Sequence, residues 1–174
     1  LTANSYTRVY GDDNPAFEYT VSGGTVTSGK PTITCSATKE SPVGTYDIMI
    51  SKGTVSNSNV KLVKGTLTIS PAPLNVIAGN YTRLEGEKNP TFTPTYNGFK
   101  NDESEDVLTE KPTVTTTATE NSTPGDYPVT VSGGSAKNYA LTYENGTLTV
   151  TKKSDVTLTA NSYTRVYGDD NPAF

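Results

Sequence analysis

Gly44-Thr45-Tyr46-Asp47-Ile48-Met49-Ile50 alternates apolar and polar side chains, and Gly125-Asp126-Tyr127-Pro128-Val129-Thr130-Val131 does so again 81 residues later. Successive side chains of a strand point to opposite faces, so Tyr46, Ile48 and Ile50 share one face and Asp47 and Met49 the other. Tyr127, Val129 and Val131 repeat that face against Asp126, Thr130 and Ser132. Helical periodicity is nearly absent, and a short helical turn is expected only near Glu103 to Leu108. Asn145-Gly146, between the alternating runs Tyr139–Tyr143 and Thr147–Val150, predicts a type I′ hairpin, and Lys64-Gly65 predicts its counterpart. The pattern is all-β.

Outward from these strands the whole chain repeats. Leu1 to Phe17 recurs letter for letter as Leu158 to Phe174, and a diverged copy, Tyr81-Thr82-Arg83-Leu84-Glu85-Gly86-Glu87-Lys88-Asn89-Pro90-Thr91-Phe92, lies between them. Tyr6, Tyr81 and Tyr163 are 75 and 82 residues apart (81 − 6 and 163 − 81). Gly65-Thr66-Leu67-Thr68-Ile69 and Gly146-Thr147-Leu148-Thr149-Val150 are 81 apart, so the middle copy holds six extra residues between Phe92 and Pro112. They fall in the polar run Asn97 to Asp106 and predict a lengthened surface loop. The units are placed at residues 1–72 and 73–153, with 154–174 opening a third, as in a window on a tandem array. An opening strand without its domain exposes Val166 and Phe174. It is expected to be disordered or docked on a neighbour, and order within the preceding domain would move the boundary. Ser70-Pro71-Ala72-Pro73 predicts a semi-rigid, polyproline-like link and hence an end-to-end rod.

Composition narrows the partners. Apolar residues make up 32% of the chain, with no Trp and four Phe, so each small core is thin and rests on Tyr, Val and Thr. A net charge of −4 without a basic run argues against nucleic acid and anionic membrane surfaces. No apolar run is long enough to span a bilayer, so no membrane insertion is expected in this segment. The single Cys35 has Thr116 as its counterpart, which excludes a disulfide framework; alternating with Ile33 and Ala37, it reads as a small, partly buried core residue.

The fold expected is two tandem small antiparallel β domains. An immunoglobulin-like β-sandwich is favoured, because Gly-x-Tyr opening a late strand resembles a tyrosine corner. A β-grasp-like sheet is the alternative, because a further strand intervenes before the last one.

Tyr10-Gly11-Asp12-Asp13-Asn14-Pro15-Ala16-Phe17, Gly44-Thr45-Tyr46, Asn138-Tyr139 and Gly146 to Val150 together resemble the MBG repeat family in its YGX variety, found in large bacterial surface and adhesin-like proteins. The resemblance covers essentially all of both units. It implies an extracellular stalk or adhesion module at the bacterial cell surface, with neighbouring repeats of the same chain as partners and no catalytic residues to carry over. The middle copy departs from it, with Leu84-Glu85-Gly86 where Tyr-Gly is expected after the Arg. The first unit departs too, with Ser58-Asn59-Val60 against Lys137-Asn138-Tyr139.

Chemistry is sparse. The chain has no His, its lone Cys has no partner base, and its carboxylates fall on loops without apolar surroundings. No catalytic, cofactor-binding or metal residues are assigned, and no cofactor is expected. Calcium is the alternative held open: Asp12-Asp13, Asp169-Asp170 and the cluster Asp102, Glu103, Glu105 and Asp106 offer hard oxygen ligands. Glu87-Lys88, however, puts a cation at the matching place in the middle unit. A second alternative is an adhesive module for a host surface protein or glycan, using exposed Tyr and the acidic insertion. The motif Tyr-Thr-Arg-x-x-Gly-x-x-Asn-Pro-x-Phe reads first as a structural device. Gly11, Gly86 and Gly168 would supply positive φ, Phe17, Phe92 and Phe174 would re-enter the core, and Tyr6 and Arg8 would pack at a domain end.

Overall fold

The computed structural model describes residues 1–171 and Ala173 of the 174-residue chain. The first unit contains β1 (Thr2–Ala3), β2 (Tyr6–Val9), β3 (Tyr19–Thr20), β4 (Thr32–Cys35), β5 (Gly44–Ser51) and β6 (Gly65–Ser70). The second contains β7 (Ala72–Ile77), β8 (Tyr81–Leu84), β9 (Thr95–Asn97), β10 (Leu108–Glu110), β11 (Thr113–Thr116), β12 (Gly125–Ser132), β13 (Ser135–Ala136), β14 (Tyr139–Glu144) and β15 (Gly146–Thr151). The expected helical turn is a 3-10 turn at Glu105–Val107, and no α-helix occurs among the described residues.

Each unit has a four-stranded sheet of the same order, β2-β6-β5-β4 and β8-β15-β12-β11. The sheets are mixed: antiparallel pairs run through β4, β5 and β6, while β2 lies parallel to β6 and β8 parallel to β15. Opposite this sheet the second unit has β14-β7-β9, with β14 parallel to β7. The first unit has the shorter counterpart, β1 paired with β3 and bridged in parallel from Thr2 to Val63. The opening strand of each unit thus runs the unit's full length, pairing first in one sheet and then in the other. Val76 and Ala78 from one layer pack on Val129, Val131, Leu148 and Val150 from the other, all nearly solvent-free. The alternation read from the sequence holds: Ile48 is fully buried and Met49 is 52% exposed. Tyr46 Oη donates to the Pro42 carbonyl, and Tyr127 Oη to the Thr123 carbonyl, each at 2.9 Å, the backward bond of a tyrosine corner.

The two glycine turns differ from expectation. β14 and β15 are not a hairpin; they belong to different sheets, and Asn145-Gly146 is where the chain crosses between layers. Neither Asn145 nor Gly146 has a positive φ. Glycine is required there for close approach, since a Cβ on Gly146 would lie 1.7 Å from the Gly79 carbonyl oxygen. Gly65 stands in the same relation to Asn4, at 2.4 Å. Asn145 Oδ1 accepts from the Val131 amide, which anchors the crossing.

The junction also differs from expectation. β6 ends at Ser70 and β7 begins at Ala72, so Pro71 alone separates these two strands and there is no polyproline link. Ala72 donates its amide to the Asn138 carbonyl at 3.0 Å. Pro73 is tolerated because the antiparallel partner β9 pairs only from Asn75 onward. The apolar core of the first unit continues across this point into Ala72, Leu74 and Tyr139.

Candidate functional site

The repeated motif builds one device in both units. Arg8 and Arg83 are buried without a carboxylate, and carbonyls and an asparagine satisfy them instead. Arg8 donates Nε to Asn14 Oδ1 (2.8 Å), Nη1 to the Val9 carbonyl (3.1 Å) and Nη2 to the Thr38 carbonyl. Arg83 repeats this with Asn89 Oδ1 (2.8 Å) and the carbonyls of Leu84 and Thr119. Each asparagine in turn donates Nδ2 to an alanine carbonyl, Asn14 to Ala37 and Asn89 to Ala118. A guanidinium has five donors and no acceptor, so a ring of carbonyls can bury it with little left unpaired. Tyr6 meets Phe17 edge-on at 5.7 Å, and Tyr81 meets Phe92 at 4.9 Å. The structural reading of the motif holds, and the bracing of Arg by Asn was not foreseen. The signal was the fixed Arg-to-Asn spacing in both copies.

Between these shared residues lies a part that is not shared. Tyr10, Gly11 and Asp12 form the turn at the far end of the first unit, where the Tyr10 amide donates to the Ser70 carbonyl. That turn docks on the second unit. Tyr10 is 3% exposed, meets Tyr139 edge-on at 5.6 Å, and donates its hydroxyl to Glu103 Oε1 at 2.6 Å. Tyr139 donates its hydroxyl to the other oxygen, Glu103 Oε2, so one carboxylate joins both phenols across the junction. Burial, and then the bond to Glu103, push both phenols above the ordinary tyrosine value. Lys100 Nζ pairs with Asp12 Oδ1 at 3.2 Å, and the Val43 amide donates to Asn138 Oδ1 at 3.1 Å. Gly11 has φ +81°, and a Cβ there would lie 2.4 Å from Lys100 Cβ. Only glycine fits.

The six-residue insertion is therefore part of a docking wall, whereas a free surface loop was expected. Phe99 packs edge-on against Tyr139 at 5.6 Å, and Asn101 and Asp102 hold positive φ values of 54° and 57° that turn the loop back toward the first unit. Asn101 Nδ2 is buried without a hydrogen-bond partner among the described residues.

The acidic residues weighed for calcium are dispersed. Asp12 faces Lys100, Glu103 holds the tyrosines, Glu105 pairs with Lys111 at 3.1 Å, and Asp13, Asp102, Asp106, Asp169 and Asp170 are exposed. Among the described residues no group of three or more His, Cys, Asp or Glu side chains is placed to hold a metal ion. Cys35 is half-buried on β4 beside Ile33. Lys152 to Asn171 form no strand and are exposed, although Asp169 N–H donates to the Val166 carbonyl as Asp12 does to Val9. Phe174, expected to re-enter a core, lies outside the described residues.

A search of curated proteins found no significant match to the chain. The family model described as MBG domain (YGX type) matches residues 1–68 and again residues 74–149. Domains of this family are non-catalytic repeat modules typical of surface proteins. With both units matched, the chain belongs to the MBG domain family of YGX type.

Proposed function

We propose that this chain is a spacer segment of an extracellular bacterial surface protein, a non-enzymatic stalk that holds an adhesive region away from the cell. The units proposed are residues 1–72 and 73–153, with 154–174 opening a third. The observation that carries this reading is the docked junction. A carboxylate, two phenols, an ion pair and a continuous apolar core fix one unit on the next, which is what a stiff spacer needs. Opening strands that run the length of each unit put the entry and exit of the chain at opposite ends, so docked units extend in line. The family match supports the repeat character. Of the insertion weighed as an adhesive surface, Lys100 and Glu103 are taken up by the neighbouring unit, which favours the spacer over a ligand-binding module.

Small-angle scattering tests the proposal. An elongated particle with one sharp inter-unit distance is expected, and Tyr10→Ala should broaden that distance without unfolding either unit. A compact particle, or a distance distribution indifferent to Tyr10→Ala, would overturn it.

A further inference from the structure

The first and last segments of each unit lie side by side. In the second unit residues 72–84 run parallel to residues 139–151, and each residue of β7 and β8 faces the one 67 later in β14 and β15 (139 − 72 and 151 − 84). The register does not slip where both segments cross between layers. There the Ala78 amide donates to the Glu144 carbonyl at 2.8 Å, and the Thr147 amide donates to Asn80 Oδ1 at 2.8 Å. At the two ends the Ala72 amide donates to the Asn138 carbonyl (3.0 Å) and the Glu85 amide to the Thr151 carbonyl (2.9 Å). The first unit is built alike. Its register runs from Thr2 opposite Val63 to Val9 opposite Ser70, a constant 61 (63 − 2 and 70 − 9). Ser5 stands there in the place of Asn80, its Oγ accepting from the Thr66 amide at 3.0 Å.

We infer that this pairing is a mechanical clamp, through which each unit bears tension along the chain. Tension enters the second unit at Pro71 and leaves it at Lys152. It draws residues 72–84 and residues 139–151 past each other, in opposite directions along their length. The hydrogen bonds of a parallel pair are evenly spaced, so under this load they share the force and must fail together. Pulled apart from one end, the same bonds would fail one at a time. Creep into a shifted register is blocked as well. Leu74, Val76, Leu148 and Val150 are buried, and a slip of one residue would turn a strand's core side chains outward. Asn80 and Ser5 carry the ladder across the crossing, where the opening segment leaves one sheet for the other. The clamp rests on the strand topology, and on the spacer reading only for the source of the tension.

The test is single-molecule pulling on the full chain in a Cys35→Ser background, with handles attached at introduced cysteines. Pro71→Cys with Lys152→Cys loads the second unit end to end. Lys88→Cys with Lys152→Cys instead peels the C-terminal ends of β8 and β15 apart. Pro71, Lys88 and Lys152 are exposed, so one and the same fold is ruptured in both cases. At equal loading rate the end-to-end force should be at least about twofold the peeling force, because forced unfolding reads the barrier along the direction of pull. Asn80→Ala, also at an exposed position, should lower the end-to-end force and spare the peeling force. Equal forces in the two geometries would overturn the inference, as would Asn80→Ala lowering both alike. A compact particle in scattering would remove the spacer reading and leave this ratio of forces standing.

Discussion

The two units end in the same turn, and only one of those turns is docked. Gly11 and Gly86 have φ values of +81° and +75°, and each is followed by an amide returning to the residue two before the glycine, Asp12 to Val9 and Glu87 to Leu84. Around Gly11 stand Tyr10, Asp12 and the wall of the next unit. Around Gly86 stand Glu85 and Glu87, a Cβ would meet nothing within 4 Å, and Glu85 accepts from the Lys153 amide of the departing chain. Residues that fold the unit are present in both copies, whereas residues that join units are present in one. Fold and docking are written at different positions of one motif and can be altered separately.

The largest effect should come from the shared part. Arg8→Ala removes a buried side chain, leaves Asn14 Oδ1 without its donor and takes one of two donors from the Val9 and Thr38 carbonyls, which keep the Asp12 and Ser41 amides. It should destabilise the first unit by about 3 kcal/mol, with Arg83→Ala doing the same to the second. Chemical denaturation should show the affected unit melting first and separately. If the two substitutions shifted a single common transition equally, the units would not be independent folding bodies.

Gly11→Ala against Gly86→Ala separates the two roles most directly. Both place alanine at positive φ, a cost of about 1 kcal/mol. Only Gly11→Ala also drives a methyl into Lys100, at 2.4 Å from its Cβ, so it should cost about 2 kcal/mol more and undock the units. Undocking is read as amide exchange of the 98–104 loop rising in Gly11→Ala and not in Gly86→Ala. Equal protection in the two variants would refute the role given to Gly11.

The sequence showed the shared part well, because burial and alternation are local. Ile48, Ile50, Val129 and Val131 identify their face without any partner being known. The tyrosine corner is likewise a bond across four residues. Asn145-Gly146 misled because the same dipeptide serves two physical ends, positive φ and close approach, and only the position of Gly79 tells them apart. The junction was hidden for a different reason: Tyr10 and Glu103 are 93 residues apart and belong to different repeats. A trace was present all the same. The middle copy loses its Tyr and gains its insertion in the same unit, so one end of it is changed to receive a neighbour and the other is not.

Tyr10→Phe tests the hydrogen bond while sparing the ring contact. Losing a bond to a carboxylate should cost about 1.5 kcal/mol at the junction, and less if Tyr139 holds Glu103 alone. The pH dependence follows from the raised phenol values. Below about pH 10 the phenols are protonated in both states and the junction is at full strength. Above it the undocked phenols release protons while the docked ones retain theirs, so docking weakens as pH rises. Burial raises Tyr96 as well, so ultraviolet titration should show wild type with three late-titrating tyrosines and Tyr10→Phe with two. Three late tyrosines remaining in Tyr10→Phe would place the perturbation elsewhere.

The smallest effect belongs to the ion pair. Lys100 and Asp12 have 38% and 49% of their side chains exposed, and a pair so open to water is worth about 0.5 kcal/mol before salt screening. Lys100→Gln should therefore leave the scattering distance nearly unchanged in low salt and indistinguishable from wild type in high salt. Its value lies in the contrast with Gly11→Ala, because both alter the same contact. Charge and shape could each account for the choice of partner, and the open pair predicts that shape decides it. If Lys100→Gln undocked the units as fully as Gly11→Ala, the junction would be electrostatic. The apolar continuity from Ile69 through Ala72 to Tyr139 would then be a consequence of docking and not its cause.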